Sequence, residues 1–421
     1  MIQRTLICLL FVVNINNAAN SQNIKYARTI IDSLCSKKYL GRGYSFKGDS
    51  LAAAFIVSEI TKSDSIKPFN KSFYQAFSFP VNTFNGAMQI RINNTTLKPG
   101  IDYIPTPYSG SIKGKFKLKT ITGLQLNNAT YLNQDFSKYI IVIDTSCLSN
   151  KALIDKTKLL ISKNSLSAKG YIIPQSKLTF GISQTAAKHV VIELNTEKFK
   201  LISEAKKITI HIENTHLSNY TSYNIAGYLP GESDSIVVLT AHYDHLGTLG
   251  NETYFPGAHD NASGVAMVLD KMLHEANKNQ KPKYTLAFIF FSGEEAGLLG
   301  SNYFVNNPLF PLSNIKFLIN FDLLGSGEQG ITVVNSSIFE SEYQTLKQIN
   351  DENKYVTEIK RRGAAANSDH YYFYTKGVKC FYIYTLGSYK EYHNIHDNPQ
   401  NIPLNTYEPI FQLITDFINR L

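Results

Sequence analysis

The sequence has few cysteines, no long apolar stretch after its first residues, and no run of arginines. Beyond an N-terminal leader only Cys35, Cys147 and Cys380 remain, and none forms a CxxC pair. That odd, scattered set allows at most one disulfide and gives no basis for a thiolate metal site. After the leader no segment is apolar for long enough to span a bilayer as a helix, so no membrane span is expected in the mature chain. Repeats and low-complexity tracts are missing as well. The formal net charge of +9 comes from scattered lysines. With no nucleic-acid motif, it reads as a solvated basic surface with a weak pull on anionic surfaces, and no nucleic-acid partner is expected.

The leader itself is informative. Arg4 precedes the apolar run Thr5–Val13, and small and polar residues follow through Ala18, Ala19 and Ser21. This pattern reads as a signal peptide over residues 1–21 and places the protein outside the cytoplasm, secreted or periplasmic. With 43% hydrophobic and 18% charged residues, the 421-residue chain is globular in composition and long enough for two or three domains.

Three textures divide the remainder. Residues 24–35 and 49–62 carry helical spacing, with Leu51, Phe55, Ile56 and Ile60 on the second helix, and Tyr39–Gly43 reads as a turn between them. From 86 to 215 short β-branched and aromatic runs alternate with Gly, Pro and Asn, broken by one helical patch near 150–160. Its His189 reads as structural. From Asn224 onward strands alternate with helices: strands at 235–240, 285–292, 315–321 and 378–385, helices near 263–277, 295–306, 338–352 and 404–420. The reading is an α/β fold, a mixed and mostly parallel sheet flanked by helices. The α/β domain is expected to comprise 22–85 and 216–421, with 86–215 as an inserted β-rich domain.

In such sheets chemistry collects beyond the carboxyl ends of the strands, and the polar clusters fall there. His242-Tyr243-Asp244 leaves one strand; alone, a loop histidine would account for it equally. Gly257-Ala258-His259-Asp260-Asn261 precedes a helix, where Asp260 could bridge two cations or merely cap the helix. Glu294-Glu295 ends an apolar strand; adjacent acids repel, so burying both needs cations or a proton. The alternative is two exposed acids on a first helical turn. Asp322 ends another strand, and a polar loop, Glu391–Asn398, follows the last. Together these clusters supply the nitrogen and oxygen donors that zinc favours, and one shared carboxylate would suit two metals.

In their order these motifs, with the lead-in Asn224-Ile225-Ala226-Gly227-Tyr228-Leu229-Pro230-Gly231, resemble the M28 family of zinc peptidases over residues 216–421. The resemblance implies two zinc ions (Zn2+) per chain. His242 and Asp322 would hold one, Glu295 and His393 the other, and Asp260 would bridge them. It implies Glu294 as the catalytic general base, Asp244 as the carboxylate that orients His242, and a cis peptide after Asp260. It also places Ser368-Asp369-His370 beside the substrate, with Asp369 in contact with it, and likens the insert to a protease-associated domain. The implied function is release of N-terminal residues from a peptide or protein substrate. Two other readings remain at this stage: a single-zinc glutaminyl-peptide cyclase, and a non-catalytic binding ectodomain.

Overall fold

The computed structural model describes residues 24–421; the signal-peptide reading lies outside the described residues. Two helices, Ile24–Leu34 and Gly48–Ile60, lead into strand β1 (Tyr74–Thr83). Eight strands follow: β2 (Met88–Ile92), β3 (Thr95–Leu97), β4 (Tyr103–Pro105), β5 (Ile112–Thr122), β6 (Tyr139–Asp144), β7 (Gly170–Gln175), β8 (Val190–Asn195) and β9 (Lys207–Ile212). The chain then returns through β10 (Thr215–Leu229), β11 (Ser233–His242), the short β12 (Thr248–Leu249) and β13 (Thr253–Tyr254), and β14 (Tyr284–Phe291). It ends with β15 (Ile315–Phe321), β16 (Ile331–Val334), β17 (Ile359–Arg362) and β18 (Cys380–Thr385), interleaved with helices.

The main sheet has the order β1-β10-β14-β11-β15-β18-β16-β17. Its central strands β14, β11, β15 and β18 run parallel, while β1 and β10 join antiparallel at one side and β16 meets β18 antiparallel at the other. The parallel strands read as unbroken apolar runs because both faces are covered. Helices Ile24–Leu34, Gly48–Ile60, Ser263–Ala276 and Tyr407–Arg420 pack on one face, and Phe304, Val305 and Phe373 from two shorter helices cover the other. The result is the mixed α/β fold expected.

Residues 88–212 form a separate sheet of order β3-β2-β9-β5-β6-β7-β8-β4. One face buries Ile90, Ile92, Ile208, Ile210 and Ile212 together with Leu246, Leu249 and Phe255 from the chain around β11 and β12. Helix Lys151–Ser162 covers the other face only over β6–β8, through Ile161. His189 is satisfied there by the Ile161 carbonyl at 2.9 Å. Cys35, Cys147 and Cys380 are free thiols, so none of the described cysteines forms the one disulfide the spacing allowed. Among the described residues no helix is long and apolar enough to cross a membrane.

Among the expected helices and strands, the start of one helix departs most from the sequence reading. The helix expected from residue 295 begins at Leu299. Gly297 and Leu298 have φ of 112° and 59°, conformations that interrupt a right-handed helix. Glu294 and Glu295 therefore sit in a turn beyond β14, not on a first helical turn.

The core makes a direct prediction. Phe317 contacts the rings of Phe381 and Phe417, with centroids 4.8 and 5.4 Å away. Phe317→Ala should lower the unfolding free energy by about 3–5 kcal/mol, measured by denaturant unfolding; a loss below about 1 kcal/mol would mean that this layer does not carry the fold.

Candidate metal centre

His242 is the last residue of β11, Asp322 the first after β15, and Glu294–Glu295 follow β14 by three and four residues. Parallel registration of β11 with β14 and β15 brings these strand ends side by side. Asp260 arrives on the loop before helix Ser263–Ala276, and His393 on the loop after β18.

Asp260 lies between the others. Its Oδ1 is 3.3 Å from His242 Nε2, which is also 3.3 Å from Asp322 Oδ1 and 4.0 Å from Glu294 Oε2. Its Oδ2 is 3.0 Å from His393 Nε2, which is 3.2 Å from Glu295 Oε2. Two donor sets thus share one carboxylate, each oxygen facing a different imidazole. All six expected ligand and base residues converge here.

Both imidazoles are turned the same way. His242 Nδ1 lies 3.2 Å from the Asp244 carbonyl, and His393 Nδ1 lies 3.0 Å from the Phe180 carbonyl. A carbonyl only accepts, so each Nδ1 carries the proton and each Nε2 is left to face carboxylates. A lone pair against a carboxylate is repulsive unless a cation or a second proton lies between. Burial works against a charged ring, yet Glu294 and Asp322 hold His242 well above its usual range. Likewise, burial opposes the charge on His393, but Glu295 and Asp260 push it up to about 11. The donors therefore call for positive charge. A tetrahedral zinc with bonds of roughly 2.0–2.1 Å sets its ligand atoms about 3.3 Å apart, close to the 3.0–3.3 Å separations here. The residues fit zinc in both halves.

The Asp260 loop is clamped from several sides. The peptide Asp260–Asn261 is cis, as the resemblance implied. Asn261, not Asp260, caps the following helix: its Oδ1 accepts from Gly264 N at 2.9 Å, while its Nδ2 donates to Phe321 O. The Asp397 carboxylate accepts the backbone N–H groups of His259 and Asp260. Burial pushes Asp397 up to about 6, although those backbone donors pull the other way. Arg42 is fully buried and donates to the carbonyls of Leu34, Tyr243, Pro256, Gly257 and Asp260. It ties the exit of β11 to the Asp260 loop.

One assignment is extended and one changes. The Asp244 carboxylate stands 3.7 Å from His242 Nδ1, and that nitrogen is closer to the Asp244 carbonyl. The carboxylate also accepts from Tyr44 Oη and from the backbone N–H groups of Glu294 and Glu295, and so shapes the Glu294–Glu295 turn as well as facing His242. Asp369 is wholly buried and is not placed to touch a substrate. Helix His370–Thr375 packs inward through Phe373, which draws the Ser368–His370 segment behind Asp322. There Ser368 Oγ donates to Asp322 Oδ2 at 3.0 Å. Burial pushes Asp369 up to about 7 against the pull of His242.

Arg42, Asp397, His245 and the Phe180 backbone were missed by the sequence reading. His245 Nδ1 lies 2.7 Å from Glu295 Oε1, a position the His242–His245 spacing could have suggested. Phe180 belongs to the segment between β7 and β8, so the second sheet directly supports His393.

Residues 224–418 match the model of peptidase family M28. A match to that family implies zinc, which the donor set suits. Among curated proteins, the chain is 32% identical over 177 residues to leupeptin-inactivating enzyme 1 of Streptomyces exfoliatus, covering 42% of this chain and 38% of that one. It is 32% identical over 122 residues to a probable leucine aminopeptidase of Arthroderma otae, covering 27% and 32%. The chain thus spans only about a third of the length of these relatives. A zinc aminopeptidase from Bacillus subtilis has a similar fold, with TM-score 0.70 and 19% identity over 95% of both chains. An M28 peptidase precursor from Shewanella amazonensis gives TM-score 0.66 at 17% identity over 94% of this chain and 96% of its own.

If Arg42 and Asp397 position the Asp260 loop for metal, Arg42→Met and Asp397→Asn should each weaken zinc binding by about 10–100-fold, read by titration against a competing chelator. Unchanged affinity in both folded variants would show that the loop holds its shape without them.

Proposed function

We propose that this protein is a zinc metallopeptidase that uses two ions per chain and releases N-terminal residues from peptides, and that it acts outside the cytoplasm. The observation that carries the reading is the division of Asp260 between two donor sets, with Glu294 beside one of them. His242 and Asp322 would hold one ion, His393 and Glu295 the other, with Asp260 shared. Zinc held there supplies Lewis acidity and lowers the pKa of a bound water toward 7.

The chain's own groups do the rest. Glu294 is the general base, and later the acid that returns the proton to the leaving amine nitrogen. Its backbone N–H is fixed by Asp244 Oδ1 at 3.3 Å, which aims the side chain at the pocket. Burial, with Glu295 and Asp322 nearby, pushes its carboxyl well above the usual range despite the opposing pull of His242. Cations in the two donor sets would draw that value down, toward the range in which a carboxylate accepts and returns protons. The His242 and His393 rings, each anchored through Nδ1, present fixed Nε2 atoms, so little reorganisation is needed as charge develops.

The aminopeptidase specificity is supported by the names of relatives, including the probable leucine aminopeptidase. Export is supported by the apolar leader after Arg4. A single-zinc cyclase would leave one half of the Asp260 carboxylate, with His393 and Glu295, unneutralised in a buried site.

The expected outcome is about two zinc per chain by elemental analysis and cleavage of leucyl-p-nitroanilide. Glu294→Gln should keep its zinc and lose about 10²–10⁴-fold in turnover. Unchanged turnover in that variant would remove Glu294 as the base, and cleavage of N-blocked peptides alone would overturn the aminopeptidase reading.

A further inference from the structure

The lysines that look scattered in sequence are segregated in space. Residues 86–215 hold 18 of the 42 Lys and Arg but only 8 of the 33 Asp and Glu, a net charge of +10. The remainder of the chain, with 24 basic and 25 acidic residues, is close to neutral. Strand alternation concentrates much of this excess on one face. In β5 the even positions Ile112, Phe116 and Leu118 turn toward the core shared with β12, while Lys113, Lys115, Lys117 and Lys119 are exposed. Side chains two apart on a strand lie roughly 7 Å from each other, so the four form a row of about 20 Å.

Neighbouring strands extend the row into a field. Lys117 stands directly opposite Lys207 of β9, and Lys113 opposite His211. Thr209 has Lys115 on one side and Arg91 of β2 on the other. Like charges facing each other across strands destabilise a sheet. Among the described residues, none of these six cations makes an ion pair. Two acids border the field: Glu213, which is engaged by His211 and the Ala87 N–H, and Glu204 beside Lys206 and Lys207. Helix Lys151–Ser162 covers the β6–β8 part of this side and leaves the β2–β9–β5 part open.

We propose that this face docks the protein electrostatically onto an anionic phospholipid bilayer. The charges project from one side of an open sheet, as contact with a planar surface requires. No exposed large apolar side chain occurs on these strands, so insertion into hydrocarbon is not part of the contact. The face also lacks Phe, Tyr and Trp side chains, on which bases or sugar rings would stack. It has a single arginine, so it offers little of the forked geometry that reads nucleic acid. Each lysine near an anionic leaflet adds attraction, screened within about a Debye length.

The test is co-sedimentation of the full chain with phosphatidylglycerol–phosphatidylcholine vesicles at low and high salt. Binding is expected to the anionic vesicles, not to phosphatidylcholine alone, and to be lost at about 0.5 M salt. Replacing Lys113, Lys115, Lys117 and Lys119 by Gln should weaken it by about 100-fold or more. Gln at four exposed lysines elsewhere, Lys281, Lys316, Lys360 and Lys376, should weaken it far less. Hydrolysis of a small soluble peptide, or where none is measurable the thermal midpoint, should be unaffected in both sets, which shows that they are folded. Failure of the wild type to bind, equal losses in the two sets, or retention by heparin or duplex DNA without vesicle binding would overturn the proposal.

Discussion

Carboxylates cannot be gathered in a dry pocket without positive charge, and much of this structure serves that one constraint. Asp260, Glu294, Glu295 and Asp322 converge with Asp244 and Asp369 where parallel strands end. The imidazoles of His242 and His393 offset part of that charge only by staying protonated, as their raised pKa values show. Metal ions held in the two donor sets would replace those protons. The site is thus a protein-built concentration of negative charge, rigid enough to keep its shape and incomplete without cations.

That rigidity has identifiable sources. The parallel register sets the strand ends, while Arg42 and Asp397 pin the Asp260 loop through its backbone. Asp244 serves both halves of the pocket: its carbonyl receives His242, and its carboxylate receives the two N–H groups that begin the Glu294–Glu295 turn. The second sheet is part of the same arrangement, because the Phe180 backbone makes a two-way pairing with His393. Its opposite, lysine-rich side is chemically independent of the site.

The polar clusters that converge at the site were legible in sequence because each follows an apolar strand or precedes a helix; which residue in each would hold metal came from the family resemblance. The fold class was legible from the same local pattern. The supports were not. Arg42 reaches carbonyls more than two hundred residues away, and Tyr39–Gly43 reads only as a turn. Asp397 looks like one polar residue among several. Asp369 was read as a substrate contact, because nothing in Ser368-Asp369-His370 reveals that Phe373 carries the segment inward and buries it. Charge scattered along β5 hides its clustering until strand pairing adds Lys207 and Arg91.

The central claim is that Asp260 is shared by two zinc ions. An anomalous-difference map collected at the zinc edge tests it most directly. The account predicts two peaks about 3.5–4 Å apart, one beside His242 and Asp322, the other beside Glu295 and His393. A single peak, or two peaks of which neither lies on Asp260, would contradict it.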